Sequence, residues 1–299
     1  MKILVTGGAG FIGSHIVDKY IGLGYQVVVI DNLLAGFRKN LNKRAKFYKA
    51  DIRNLPLMEK ILRKEKPQII NHHAAISEVI KSIKDPHLTY ETNVLGTANI
   101  LLAGSAVGIK KFLFSSTGDA LYNNQKRLPV GESFLPNAIS PYGFSKLIGE
   151  KFVEFYAKQG GFQYLIFRYA NVYGLRQNRR IISIFTGLMK RGVRPTIFGD
   201  GTKTRDYIYI DDIIRVNILG LKIGKNEVLN IGSGHETSDQ KVFDVLAQEL
   251  NFKKLPIYTH FRQGEVYRIA LDCFRARKTL KWQLKVNFKE GVKKYLNSL

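Results

Sequence analysis

The segment Thr6-Gly7-Gly8-Ala9-Gly10-Phe11-Ile12-Gly13 constrains this chain more than any other. It follows directly on an apolar run at residues 2–5 and precedes a helical pattern at about 14–23, closed by Gly24. Its glycines read as G-x-G-x-x-G from Gly8 or as G-x-x-G-x-x-G from Gly7. Glycine at such positions permits a tight turn, a close backbone approach to a pyrophosphate, and tight helix–strand packing. The helix N-terminus that follows turns free N–H groups and a positive dipole end toward phosphate. A strand before and a helix after are the context that makes the loop a dinucleotide site. A second apolar strand at 26–30 leads to Asp31, 18 residues past Gly13, where an acid meets adenosine ribose hydroxyls. A carboxylate there repels a 2′-phosphate and favours NAD over NADP, with Arg38 and Lys39 able to offset the repulsion.

Further strand candidates fall at 46–49, 69–71, 111–114 and 164–168, with helical patterns between most of them. Strand and helix in alternation imply parallel strands with crossover helices, an α/β fold with a Rossmann-type doubly wound parallel sheet. Past about Tyr169 the alternation gives way to loops, shorter helices and isolated strands. The expected division is an NAD-binding domain at 1–170, joined by part of 206–232. The rest, 171–299, reads as a smaller, interleaved α/β substrate-binding domain. No Pro- or Ser-rich linker separates the two, so they are expected to pack around a shared cleft.

Composition removes several classes of protein. Hydrophobic residues at 45% and 8 prolines among 299 residues argue against disorder. The single cysteine, Cys273, excludes an internal disulfide framework and suits a reducing compartment. The uncharged stretch 94–109 is too short and too rich in Gly, Asn, Thr and Ser to span a bilayer. The first residues run straight into the glycine loop instead of forming a signal peptide. A cytoplasmic protein without a membrane partner is expected. The net charge of +23, from 47 Lys plus Arg against 24 Asp plus Glu, attracts anions in general. These basic residues are spread along the chain in small clusters such as 176–180 and 190–194. A solvated surface with a minority at a phosphate site is the expected reading. No groove-reading motif supports nucleic-acid binding as the main role.

The catalytic candidate is Ser140-Pro141-Tyr142-Gly143-Phe144-Ser145-Lys146. Ser140 suits an N-cap and Pro141 the first helical position. Tyr142 and Lys146, four apart, then share one helix face. A phenol titrates near 10, and a nearby ammonium or nicotinamide cation favours the phenolate, a general base for a sugar or alcohol hydroxyl. A second Tyr-x-x-x-Lys, Tyr122 to Lys126, runs through Asn123-Asn124-Gln125 and reads as chance spacing in a loop. Ser115-Ser116-Thr117 lies just past a strand candidate, where strand C-termini face the ligand crevice. The six histidines show no metal-ligand spacing, and neither a G-x-S-x-G elbow nor a P-loop occurs.

Together these residues resemble the extended short-chain dehydrogenase/reductase superfamily, in its nucleotide-sugar epimerase/dehydratase group. The motifs that carry the resemblance span nearly the whole chain. They include Asp31-Asn32, Asp51-Ile52, His72-His73-Ala74-Ala75, Asn93-Val94-Leu95-Gly96-Thr97 and Arg168-Tyr169-Ala170-Asn171-Val172-Tyr173-Gly174. Phe198-Gly199-Asp200-Gly201, Arg205-Asp206-Tyr207, Asn230-Ile231-Gly232 and Arg262-Gln263-Gly264-Glu265 complete them. The pattern is nearest to members that interconvert UDP-glucose and UDP-galactose. It implies inversion at sugar C4 through transient hydride transfer to tightly bound NAD and a 4-keto sugar. Tyr142 would take the 4-hydroxyl proton, Lys146 would hold the nicotinamide ribose, and Thr117 would hydrogen-bond the 4-hydroxyl. Cofactor contacts would come from Gly7, Gly10, Phe11, Ile12, Gly13, Asp31, Asn32, Ser115 and Tyr169. Asp51 and Ile52 would flank the adenine, while Ala74 and Asn93 would line the cofactor. Asn171, Arg205 and Arg262 would meet the UDP diphosphate, and Phe198 would lie near the uracil.

The chain also departs from the group's pattern. After Thr117 it reads Gly118-Asp119-Ala120-Leu121-Tyr122-Asn123, one residue longer than usual before the tyrosine. Related 4,6-dehydratases place an Asp-Glu pair here, and related decarboxylases a Glu. Asp119 can imitate the Asp, but Ala120 stands where the Glu is needed, so elimination lacks its base. Alignment through Arg262 puts Ile269 where some members use a bulky tyrosine to limit sugar size, which would admit N-acetylated sugars. Members of the group commonly form homodimers through two helices per subunit, here about 85–107 and 140–159. The remaining readings are another nucleotide-sugar enzyme on this scaffold, or a non-enzymatic NAD-sensing or nucleic-acid-binding protein. The intact Tyr142, Lys146 and Thr117 set argues against the last.

Overall fold

The computed structural model describes residues 1–123, 125, 127–261 and 266–299. Seven strands form one parallel sheet: β1 (Lys2–Thr6), β2 (Gln26–Asp31), β3 (Lys46–Lys49), β4 (Ile69–His72), β5 (Lys111–Thr117), β6 (Gln163–Tyr169) and β7 (Glu227–Ile231). Their order is β7-β6-β5-β4-β1-β2-β3. The order reverses between β1 and β4, and a doubly wound sheet opens its ligand crevice at the strand C-termini beside such a reversal.

Both faces of the sheet are covered, so its central strands β1, β2 and β4 are near-continuous buried runs rather than alternating ones. Along β1, Ile3 and Val5 enter one core while Leu4, between them, enters the other. The first core takes Ile16, Val17 and Tyr20 of helix Phe11–Gly22 and Ile213 and Val216 of helix Ile210–Lys222. The second takes Met58 and Leu62 of Leu55–Glu65, Ile100 and Leu101 of Gly96–Ala106, and Val153 and Ala157 of Pro141–Gly160. Each large aliphatic side chain withdrawn from water this way contributes about 1.5–3 kcal/mol.

Two local features differ from the sequence expectation. β5 continues through Ser115, Ser116 and Thr117, which pair with Phe167, Arg168 and Tyr169 of β6. The three hydroxyl residues therefore end the strand instead of following it, because ladder pairing outweighs their weak strand preference. The helix expected across 85–107 is broken into Pro86–Tyr90, a π-turn at Glu91–Leu95 and Gly96–Ala106. Such single-turn irregularities occur frequently at functional sites.

Beyond β6 the chain builds short strand pairs. Asn171–Tyr173 runs parallel to Tyr207–Tyr209, and Thr196–Phe198 parallel to Ile257–Thr259. Thr204–Arg205 pairs antiparallel with Thr237–Ser238. These stand over the C-terminal ends of β5 and β6. A buried network locks helix Pro141–Gly160 to the sheet beneath. Glu150 accepts hydrogen bonds from Ser116 Oγ (2.6 Å) and from Arg168 Nε (2.9 Å) and Nη2 (2.6 Å). Arg168 also donates to the Tyr122 hydroxyl, which donates on to Asn230 of β7. Among the described residues no helix is long and apolar enough to cross a membrane.

Candidate functional site

A cleft of about 1260 Å³ opens over the C-terminal ends of β1, β2, β4, β5 and β6. Gly7, Gly10, Phe11, Ile12 and Gly13 form its floor at one end. A Cβ on Gly13 would lie 2.3 Å from the Gly7 carbonyl oxygen, so the loop closes this tightly only with glycine there. Helix Phe11–Gly22 has no side-chain cap and no acidic residue in its first turn, which leaves its leading N–H groups for an anion. Asp31 is buried and accepts from Ala9 N (2.9 Å) and Leu33 N (2.8 Å). Burial pushes its carboxyl up and those two N–H groups pull it back. Asn32 and Ile52 line the same end.

The uncapped amides, the glycine cradle and the Asp31 carboxylate at the end of β2 together fit a dinucleotide. Two further groups point the same way. His73 lines the cleft with both ring nitrogens buried and without a partner among the described residues. Burial and Lys146 hold its imidazole down to about 3, so it stays neutral. Tyr169 stacks on it at 6.5 Å, with its hydroxyl accepting from Asn217. Ala74 N donates to Thr6 Oγ1, which holds the loop after β4 against β1.

The reactive centre is built by the end of β5 and the start of helix Pro141–Gly160. Ser140 caps that helix through Gly143 N (3.1 Å) and Pro141 opens it. A Cβ on Gly143 would sit 2.4 Å from the Ala120 carbonyl, so glycine lets this first turn press onto the segment after β5. Tyr142 and Lys146 then both face the cleft, as their spacing predicts. Lys146 Nζ donates to the Ser115 carbonyl (2.7 Å) and stands 4.8 Å over the Phe114 ring. Burial pulls it down to about 7, against the pull of Glu150.

Tyr142 is raised by burial, with Asp119 adding to the rise. Arg180 and a hydrogen bond with Thr117 pull it back. Arg180 therefore joins Lys146 as a cation lining this part of the cleft. Arg180 comes from the loop after Gly174 and donates across the cleft to the Ser77 carbonyl (3.2 Å). The sequence showed it only as part of a basic cluster.

Asn171, Phe198 and Arg205 line the opposite end of the cleft. Asn171 Nδ2 donates to Asp119, and Arg205 Nη1 to its neighbour's carbonyl, Thr204 O (2.8 Å). Arg262 lies outside the described residues, as does Lys126 of the second Tyr-x-x-x-Lys. Tyr122 of that copy is fully buried in the Arg168 network, away from any such role.

Three residues singled out from the sequence stand off the cleft wall. Asp51 does not line the cleft; it sits behind Asn32, accepting from its Nδ2 (3.0 Å), and is held down to about 2 by Arg53. Asn93 is buried in the π-turn, where it accepts from Ile76 N (2.8 Å) and donates to Ser145 Oγ (2.9 Å). It therefore pins the catalytic helix to the loop after β4 and does not form cleft wall. Ile269 is fully buried in the core and does not line the cleft.

Residues 3–232 match the NAD dependent epimerase/dehydratase family. A UDP-glucose 4-epimerase of Mycolicibacterium smegmatis is 34% identical over 304 residues, covering 98% of this chain and 97% of that one. The UDP-glucose 4-epimerase of Thermotoga maritima, solved with UDP-glucose, is 43% identical with a TM-score of 0.98, covering 99% of this chain and 98% of that one. The Thermus thermophilus UDP-glucose 4-epimerase, solved with NAD, is 33% identical with a TM-score of 0.94, covering 99% and 98%. With the glycine loop, Asp31 and the Tyr142–Lys146 pair in one cleft, this chain belongs to the NAD-dependent epimerase/dehydratase family.

Proposed function

We propose that this chain interconverts UDP-glucose and UDP-galactose by inverting the sugar at C4, using NAD as a recycled cofactor. The single observation that carries the reading is the convergence of Tyr142, Thr117 and Lys146 where β5 meets the cleft. Gly7, Gly10, Phe11, Ile12, Gly13, Asp31, Asn32, Ile52, Ala74, Ser115, Tyr169 and Lys146 would hold the dinucleotide. When bound, NAD supplies the acceptor and then the donor of the C4 hydride.

The chain's own groups manage the proton and the substrate. Tyr142 takes the proton of the 4-hydroxyl as C4 is oxidised and gives it back when the 4-keto sugar is reduced from its other face. Thr117, within hydrogen-bond reach of the phenol, steadies the same oxygen. Arg180 offsets the burial that otherwise keeps the phenol protonated. Arg205 and Asn171 would meet the diphosphate, and Phe198 the uracil, with Arg262 as a further phosphate ligand. Ala120 offers no carboxylate to abstract a C5 proton, so the site is suited to epimerisation and not to elimination.

Residues 1–170, joined by part of 206–232, would serve as the cofactor domain and the remainder as the substrate domain. A nucleotide-sugar reaction and a free, buried Cys273 suit the cytoplasm. Leu95 and Leu102, seven apart, and Phe144 and Phe155, eleven apart, leave two apolar stripes exposed on adjacent helices. A second copy of this chain would cover them in a homodimer. To test the reading, purified protein is mixed with UDP-galactose, without added NAD, and the sugars are followed by NMR. A galactose–glucose mixture is expected from wild type and none from Tyr142→Phe. Unchanged UDP-galactose, with NAD then added to saturation, would overturn it.

A further inference from the structure

Asp119 starts the short helix Asp119–Tyr122, two residues after Thr117, and lines the same cleft. Its Oδ2 accepts from Asn171 Nδ2. Its Oδ1 is buried and has no partner among the described residues. The groups facing the carboxyl are Arg205, Arg180, Asp206, Tyr142 and Tyr207. Arg205 donates to Thr204 O and Arg180 to Ser77 O, while Asp206 is occupied by Ser233, Gly234 and Leu271. A buried polar atom left unsatisfied in a native site calls for an explanation, and an absent ligand group is one. Burial and Asp206 raise the carboxyl to about 7 against the pull of Arg205, Arg180 and Asn171.

We propose that Asp119 is a sugar-contacting specificity residue whose Oδ1 forms a hydrogen bond with a hexose hydroxyl other than the one at C4. The inference rests on the UDP-hexose reading above and extends it. The C4 hydroxyl is already met by Tyr142 and Thr117. A carboxyl aimed at the diphosphate would be repelled by it, and Asn171 stands on that side. With Ala120 next to it, Asp119 has no second carboxylate to work with, so its part is a hydrogen bond and not proton removal from carbon.

The test is calorimetric binding of UDP, UDP-glucose and the 2-, 3- and 6-deoxy analogues of UDP-glucose to the NAD-loaded enzyme. Wild type, Asp119→Ala and Asp119→Asn are compared at pH 6. One deoxy analogue is expected to bind wild type about tenfold more weakly than UDP-glucose at pH 6, the size of one hydrogen bond. In Asp119→Ala that gap shrinks below about twofold with UDP affinity unchanged. Asp119→Asn, whose amide also hydrogen-bonds a hydroxyl, restores the gap. The inference is overturned if no analogue is discriminated, if Asp119→Ala keeps the gap, or if UDP alone weakens as much as UDP-glucose. It also falls if Asp119→Asn fails to restore the gap. Turnover of UDP-galactose by wild type separates the two claims. Turnover with an unchanged gap removes only this inference, and absence of both turnover and UDP-hexose binding removes the functional reading with it.

Discussion

Replacing Glu150 by Ala should destabilise the protein far more than a typical substitution, through a charge it leaves behind. Glu150 and Arg168 are 1% and 6% exposed. The carboxylate accepts three hydrogen bonds, two from Arg168 and one from Ser116. Without it, the guanidinium keeps, among the described residues, only the Tyr122 hydroxyl, at 2.7 Å, in a buried site. Removing one partner of a buried pair costs about 3–5 kcal/mol, because the other charge stays desolvated. For a chain of this size, at about 2–3 °C per kcal/mol, Tm should fall by about 6–15 °C. Removing both charges in Glu150→Met/Arg168→Met should recover most of that loss, since two thioether side chains fill similar volume. Differential scanning calorimetry of wild type, both single variants and the double variant gives the coupling. An interaction of about 2 kcal/mol or more is expected. Additive losses in the double variant would refute the argument that the stranded charge is what costs.

Other perturbations follow from the same geometry. Asp119→Asn should leave stability unchanged near pH 4 and raise it above pH 7. The folded carboxyl titrates at about 7 against an ordinary 3.8, so wild type loses stability as pH rises between those values. At 1.36 kcal/mol per pH unit the upper limit is about 4 kcal/mol, and equal Tm differences at pH 4 and pH 8 would contradict the assignment. Gly13→Ala should abolish NAD retention, read by the absorbance of nucleotide released on denaturation, because its Cβ would stand 2.3 Å from the Gly7 carbonyl. A variant that keeps stoichiometric NAD would show the loop is not the cradle. Phe155→Glu should convert a dimer to a monomer in light scattering, since Phe155 is 56% exposed on an apolar stripe. An unchanged mass would move the interface elsewhere.

What was legible in the sequence was local chemistry. The glycine loop, the Ser140 cap and the Tyr142–Lys146 spacing each depend on neighbours within one helical turn, and each stands in the fold as read. Contacts between distant segments were not legible. Asp119 meets Asn171 across 52 positions, and Asn93 reaches Ser145 across another 52. Arg180 acts on Tyr142 because a loop folds back over the cleft, which no spacing reveals. Ile269 was placed by motif alignment through Arg262, yet its fully buried side chain belongs to the core. The extension of β5 through Thr117 had the same origin, since the pairing partner lies in β6 and not beside it in sequence.

The most direct measurement of the central claim is wild-type turnover of UDP-galactose in D2O, with the sugar protons followed by NMR to equilibrium. If C4 is inverted by hydride leaving and returning within the cleft while Tyr142 handles only the hydroxyl proton, UDP-glucose accumulates with its C4 hydrogen still protium. Deuterium at C4, or no UDP-glucose from an NAD-saturated enzyme, would contradict the account.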